Sequence, residues 1–183
     1  MRYSEFQQHM QKDNFIYKYI MDFCKSKRIK LERKQKLILD QNKIYFCTKG
    51  VLELMLRHSK KSSSIVQANQ IIQGIPREGC CYEIRALTKV EVAVYESDEL
   101  YDFLENRNLL SHYLYSHIYM EEQRKCFFNE LSGLKVKERV ERVIQEFSDG
   151  NKIPEWFSVE LVSKMCNCSY NSALKYSSKR HSS

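Results

Sequence analysis

The amino-acid sequence predicts an α+β fold, in which a domain of short antiparallel strands, either a sandwich or a barrel, precedes a helical C-terminal part. Between Ile29 and Tyr95 the apolar residues fall in short, partly alternating strings that are rich in β-branched and aromatic types. From Ser97 onward the apolar residues recur every three or four positions, as they do in helices. The chain has 183 residues, of which 43% are hydrophobic, and this is enough for a medium domain and a small one.

The segment before the strands is predicted to be an amphipathic helix over about residues 5–25. Phe15, Tyr19, Ile20 and Phe23 recur at helical spacing, so we expect them to form its buried face. The strands themselves are predicted from six apolar strings, at residues 37–39, 44–46, 51–56, 65–66, 71–72 and 90–95. Turn-forming residues separate the strings, notably Gly50, the serines 62–64 and Pro76.

Three helices are predicted next along the chain. Ser97 is placed to cap a short helix, and the acids that follow it suit the positive end. A long helix then runs from about residue 109 to 131, followed by a break at Ser132 and Gly133. A third helix, over residues 134–147, is predicted to end at Asp149 and Gly150. The long helix carries a stripe that we expect to contact a partner helix, although ordinary core contact is the alternative: Leu110, Leu114, Ile118, Glu121, Lys125 and Phe128.

Residues 157–175 have the layout of a helix-turn-helix. Ser158 suits the cap of the first helix, Asn167 tolerates a left-handed turn, and Ser169 suits the cap of the second helix. The residues predicted to face inward or to allow close helix crossing are Leu161, Val162, Ser163, Met165, Cys168 and Ala173.

The outward side of the second helix carries the predicted DNA contacts. Asparagine suits adenine edges, lysine suits guanine edges or phosphates, and tyrosine and serine suit phosphates or apolar base contacts. The predicted contact residues are Ser169, Tyr170, Asn171, Ser172 and Lys175, followed by Lys179 and Arg180 on phosphates.

The order of these elements resembles the Crp/Fnr family of transcription regulators over nearly the whole chain. The matching segments are residues 45–54 for a strand-Gly-strand hairpin, 84–95 for the last barrel strands, 97–103 for a short helix, 136–147 for the first helix of the DNA-binding domain and 157–175 for its helix-turn-helix. The resemblance implies a cyclic-nucleotide-binding-like antiparallel β-barrel over residues 1–105, a dimerisation helix over 106–131 and a DNA-binding domain over 134–183. It further implies a cytoplasmic homodimer on a roughly palindromic operator, with RNA polymerase as a further partner.

The sequence departs from the family at the nucleotide site. Counting back from Arg85 places Cys80 where nucleotide-binding members carry a phosphate-binding Arg, and Glu83 would repel the anion. We therefore expect no cyclic AMP, although Arg77 could substitute after a loop shift. Members without the nucleotide signature include the PrfA-like branch, but no motif fixes that relationship.

The other cofactors of the family are not expected either. Iron–sulfur members use clustered N-terminal cysteines, whereas Cys24 is the only cysteine before Cys47. The pairs Cys80 with Cys81 and Cys166 with Cys168 raise the question of a thiol switch, but buried cysteine is commonly a small hydrophobe. The five histidines show no metal-ligand spacing, so no metal is expected: His9, His58, His112, His117 and His181.

A third departure concerns the C-terminal end. Family members continue from the recognition helix into a β-wing that contacts phosphates, whereas residues 179–183 follow it here. A truncated winged helix predicts weak, salt-sensitive affinity for DNA. The alternative is a sensor or protein-interaction dimer that has lost DNA binding.

Composition and charge further restrict the functional class that the sequence predicts. The net charge of +7 is compatible with a polyanionic partner, although the basic run at residues 25–43 is expected to be solvated surface. No apolar run approaches the roughly 20 residues that cross a bilayer, and no signal-peptide core follows Met1, so we expect a soluble protein with no membrane contact. No set of catalytic residues or phosphate-binding Gly loop is present, so an enzyme is not expected.

Overall fold

The computed structural model describes residues 15–57, 62–73, 81–148 and 152–177. The helices are α1 (Phe15–Phe23), α2 (Ser97–Glu105), α3 (Leu110–Gly133), α4 (Val136–Phe147), α5 (Val159–Met165) and α6 (Tyr170–Ser177). The strands are β1 (Lys27–Leu31), β2 (Lys36–Ile38), β3 (Lys43–Lys49), β4 (Val51–Leu56), β5 (Ser62–Gln67), β6 (Gln70–Gln73), β7 (Tyr82–Ala86) and β8 (Val90–Glu96). All six predicted strand strings are confirmed.

The strands form two four-stranded antiparallel sheets, with the orders β1-β8-β3-β6 and β2-β7-β4-β5. Leu52, Ile84 and Val92 are fully buried between the sheets. The described strands pair only within their own sheet, so of the two predicted alternatives the β-domain is the sandwich, and its sheets do not close into a barrel. Most consecutive strands lie in different sheets, as β1 pairs with β8 and β2 with β7, whereas β4 and β5 are neighbours in one sheet.

The hairpin predicted at residues 45–54 is wrong, because β3 and β4 lie in different sheets. The tight turn that joins these two strands depends on Gly50, whose φ is 89°. A Cβ at this position would overlap the backbone oxygen of Lys89. Gly50 is therefore required twice, for its left-handed backbone and for the close approach of the β7–β8 turn.

Helix α1 packs on the outer face of the first sheet, but not with the predicted side chains. Ile16, Tyr17 and Ile20 are buried there, whereas Phe15 and Phe23 are 45% and 65% exposed. Of the predicted face, Ile20 is buried and Tyr19 is half-buried, whereas Phe15 and Phe23 are wrong. The aromatic rings of the predicted stripe instead contact one another in tilted pairs along the helix surface. The first part of the predicted helix, residues 5–14, lies outside the described residues.

Helix α2 starts where the sequence predicts it, but the predicted cap by the Ser97 side chain does not form. Ser97 is the first helical residue, Glu96 precedes it with extended backbone, and no side chain caps the helix. The backbone N–H of Ser97 donates to the carbonyl of Asn42 instead, because β3 lies alongside. Asp98 and Glu99 occupy the first turn as expected.

Helix α4 ends at Phe147, before the stop that the sequence predicts at Asp149 and Gly150. Ser148 leaves the helix with extended backbone, and its hydroxyl donates to the carbonyl of Ile144 at 2.6 Å. Asp149 and Gly150 lie outside the described residues. The break after α3 is confirmed, with Gly133 as the last helical residue.

The helical part and the sandwich share one apolar cluster. Ile65 of β5 and Leu87, which directly follows β7, are buried in the same cluster as Leu161 and Val162 of α5. Next to Ile65, the carboxylate of Glu53 is fully buried in an ion pair with Arg85 of the neighbouring strand. The first helix of the hairpin α5–α6 is therefore seated directly on the sandwich. In the described part of the chain, no helix combines the length and hydrophobicity needed to span a membrane.

Candidate nucleic-acid interface

The hairpin of α5 and α6 forms as its local sequence predicts. The hydroxyl of Ser158 accepts a hydrogen bond from the backbone N–H of Leu161 at 3.2 Å, and this caps α5. Leu161, Val162 and Met165 are buried, because their spacing places them on one face of α5. The cap and the three core positions are confirmed.

The turn between the two helices is held by backbone geometry. Asn167 has a φ of 47°, which is the predicted left-handed conformation. The N–H of Cys168 then donates to the carbonyl of Ser163 at 3.0 Å, so the turn closes back on α5. The hydroxyl of Ser169 accepts from the N–H of Ser172 at 3.2 Å and caps α6 as predicted.

The inner side of α6 is fixed by close packing. Ala173 is fully buried against the helical core, where a larger side chain would force α6 outward. The hydroxyl of Ser177 donates to the carbonyl of Ala173 at 2.7 Å, so this polar side chain is satisfied although it is buried. These contacts leave α6 little freedom to rotate about its axis.

The outward side of α6 presents a mixed polar and apolar surface. Tyr170 is 54% exposed, and Asn171 and Lys175 are also exposed. Leu174 is 44% exposed on the same surface. It was not predicted as a contact residue, because an apolar side chain in a helix is expected to be buried. Ser172 is half-buried, and its hydroxyl is hydrogen-bonded to that of Ser169 at 2.9 Å. The two serines therefore contribute to the helix cap.

Lys175 is the one charged side chain of α6 (Tyr170–Ser177). Helix α6 has no acid in its first turn and carries Lys175 in its last turn. On α5 the exposed Glu160 is paired with Lys164 at 2.7 Å, and this pair lowers the pKa of the Glu160 carboxyl. Lys179 and Arg180, which were predicted to contact phosphates, lie outside the described residues.

The two cysteines of the turn are free thiols, of which Cys166 is buried and Cys168 is half-buried. Burial raises the pKa of Cys166 to about 12, and burial also raises the pKa of Cys168. Since the thiolate is the reactive form, these values favour a packing role at neutral pH. Cys80 lies outside the described residues, and Cys81 is a half-buried free thiol.

The long helix α3 leaves part of its predicted stripe uncovered. Leu114 and Ile118 are 41% and 60% exposed. Leu110 and Phe128 are half-buried against the chain's own apolar clusters. Glu121 pairs with Arg124 and Lys125 with Glu122, in both cases along the helix. Two exposed residues that the sequence analysis missed extend the uncovered surface, Tyr115 and Tyr119.

The region where the family holds a nucleotide lies mostly outside the description, since residues 74–80 contain both Arg77 and Cys80. Of the residues beside it, Glu83 pairs with Lys36 at 2.7 Å. Arg85 forms an ion pair with the buried Glu53. Within the described ranges, no group of three His, Cys, Asp or Glu residues could hold a metal ion.

The known proteins that resemble this chain were found by similarity of structure. No family model and no curated protein sequence matches it. FixK2 from Bradyrhizobium japonicum superposes with a TM-score of 0.71 and 10% identity, over 86% of this chain and 85% of that one. A cyclic nucleotide-binding domain containing protein from Listeria monocytogenes gives 0.70 and 13%, over 92% and 89%. TTHB099, a CRP-family transcriptional regulator from Thermus thermophilus, gives 0.65 and 13%, over 84% of each chain. The chain therefore has the cyclic-nucleotide-binding-like fold, with following helices, that these proteins share.

Proposed function

We propose that this protein is a dimeric, sequence-specific DNA-binding transcription regulator of the Crp/Fnr type, with α6 as its recognition helix. The observation that carries the proposal is the exposed surface of α6, where Tyr170, Asn171 and Lys175 project from a helix that Ala173 and the Asn167 turn hold in place. The similarity of the fold to that of TTHB099, a CRP-family transcriptional regulator, supports the same assignment.

The dimensions of α6 suit a major groove. Eight helical residues span about 12 Å, and the major groove of B-DNA is about 12 Å wide and admits one helix. Asn171 lies one helical turn before Lys175, so both project from the same side. An amide can bond adenine at two positions and an ammonium can bond guanine or phosphate, so this pair provides a means of reading sequence.

A homodimer would supply the second recognition helix. The uncovered surface of α3, formed by Leu114, Tyr115, Ile118 and Tyr119, is apolar and follows helical spacing, as expected for contact with the same helix of another copy. Two copies of α6 about 34 Å apart would enter successive major grooves of a roughly palindromic operator. We further propose a cytoplasmic protein that acts with RNA polymerase and does not respond to cyclic AMP.

The experiment is selection of bound genomic fragments, followed by anisotropy titration of the recovered sequence at low salt. The double variant Asn171→Ala, Lys175→Ala should lose its preference for that sequence over a scrambled one. The matched control is Lys30→Ala, Asn129→Ala, which removes one exposed lysine and one exposed asparagine from β1 and α3. Failure of the wild-type protein to prefer any fragment would select the alternative, a protein-interaction dimer.

A further inference from the structure

The middle of the outward surface of α6 carries a leucine. Successive residues of a helix are about 100° apart, so the exposed side chains follow one another over about 140° of the surface in the order Tyr170, Leu174, Asn171 and Lys175. Leu174 is 44% exposed, although it is the one aliphatic side chain of these four. Ala173 is fully buried on the other side of α6 and fixes this orientation.

The other polar groups of α6 lie away from the middle of this surface. The hydroxyls of Ser169 and Ser172 are 2.9 Å apart and hydrogen-bonded to each other, and Ser169 also caps the helix. The ammonium of Lys175 lies 5.6 Å from the centroid of the Tyr176 ring, and helical spacing places Tyr176 on the side of α6 away from Leu174. The middle of the surface is therefore left to one amide and one aliphatic side chain.

We propose that Leu174 contacts the C5-methyl group of a thymine in the major groove, so that each half of the operator carries a thymine close to the base pair that Asn171 reads. The assignment rests on the proposed function, and it names the base that α6 prefers at one position. A single exposed leucine elsewhere on a protein needs no explanation. At the centre of a surface that meets base edges, it determines which base is accepted.

The chemistry of the major groove selects thymine. Adenine, guanine and cytosine present hydrogen-bonding groups there, and thymine alone adds an apolar methyl group. An aliphatic side chain has no hydrogen bond to offer, so against the other three bases it covers a polar group without satisfying it. Against thymine it removes two apolar surfaces from water. The same side chain therefore favours one base and disfavours three.

The position of the thymine follows from helix geometry. Asn171 and Leu174 are three residues apart, which corresponds to a rise of about 4.5 Å along the helix axis. Successive base pairs are about 3.4 Å apart. The thymine is therefore expected within about two base pairs of the pair that Asn171 reads. Tyr170 lies one helical turn before Leu174 and is 54% exposed, so its ring extends the apolar contact.

The experiment removes single methyl groups from the DNA. The operator is selected from amplified genomic fragments, in which thymine is the only base that carries this methyl group. Base-pair substitutions, titrated with the wild type and with Asn171→Ala, locate the pair that Asn171 reads. Each thymine is then replaced in turn by deoxyuridine, which keeps the base pairing and lacks only the methyl group.

Anisotropy titration of these duplexes gives the expected result directly. Close to the pair that Asn171 reads, one deoxyuridine in each half of the operator should weaken wild-type binding about fourfold, which is the equivalent of about 0.8 kcal/mol for one buried methyl group. Deoxyuridine at thymines outside this position should leave the affinity unchanged.

Three variants test whether Leu174 makes the contact. Leu174→Ala removes the branched end of the side chain and should bind the thymine and deoxyuridine operators equally. Leu174→Met keeps a long apolar side chain and should retain the preference for thymine. Ile38→Ala is the matched control, because Ile38 is a similarly exposed aliphatic residue, 51% exposed on β2, and this variant should keep the wild-type difference.

The failure of this assignment is distinguishable from failure of the proposed function. It is overturned by unchanged wild-type affinity at every deoxyuridine position, by a difference that persists in Leu174→Ala, or by an operator without thymine within about two base pairs of the pair that Asn171 reads. In these three cases the wild type still prefers the operator over a scrambled duplex, so the proposed function stands. A wild type that prefers no fragment is identified before any deoxyuridine is introduced, and it overturns both proposals.

Discussion

The buried ion pair between Glu53 and Arg85 joins two strands of the second sheet, and we predict that breaking it strongly destabilises the protein. The Glu53 side chain is fully buried, and neither carboxylate oxygen has another hydrogen-bond partner among the described residues. Arg85→Met would leave this charge uncompensated. Breaking a buried pair in this way costs about 3–5 kcal/mol, and we expect the lower end because the Arg85 side chain is 24% exposed to water.

The assay is urea unfolding of four proteins, the wild type, Arg85→Met, Glu53→Met and the double variant. The double variant should recover most of the lost free energy of unfolding, because methionine fills the space without charge. Lys36→Met is the matched control on the same sheet. Its lysine side chain is 55% exposed in the pair with Glu83, so its loss should cost less than about 1 kcal/mol. Equal losses in Arg85→Met and Lys36→Met would refute the reasoning.

Three further predictions follow from particular side chains. Ile118→Asp should shift the protein from dimer to monomer in sedimentation equilibrium, while Ile38→Asp, at a similarly exposed isoleucine outside α3, should not; a monomeric wild type would contradict this. Asn167→Ala should lower the free energy of unfolding by about 1–2 kcal/mol, because alanine tolerates the left-handed backbone poorly, and Asn167→Gly should lower it less; equal losses would contradict the turn. Burial lowers the pKa of His117, so the unfolded chain binds more protons below the ordinary value of about 6.5, and the stability should fall as the pH drops through that value toward the lowered one. His117→Asn should flatten this dependence in urea unfolding, and an unchanged slope would contradict it.

Local apolar strings predicted six of the eight described strands, all except β1 and β7, but they did not predict how the strands pair. Ser158, Asn167 and Ser169 act within three residues of their own positions, so the sequence showed the turn between α5 and α6 directly. The choice between barrel and sandwich depends on which distant strands pair, such as β1 with β8, and no local pattern carries that information. The face of α1 was misassigned because aromatic spacing alone does not show which side meets the first sheet.

The sequence likewise predicted some residues of the candidate site and missed others. Asn171 and Lys175 were predicted as outward residues because the capped turn fixes the phase of α6. Leu174 and the exposed tyrosines of α3 were missed because apolar character was equated with burial.

The most direct test of the central claim is the anisotropy titration of a selected operator by the wild type and by the Asn171→Ala, Lys175→Ala variant. We predict that the wild type prefers the operator over a scrambled duplex and that the variant binds both equally, with a loss of about 1–3 kcal/mol per base contact removed. The Lys30→Ala, Asn129→Ala control should keep the wild-type preference. An unchanged preference in the Asn171→Ala, Lys175→Ala variant would show that α6 does not read DNA.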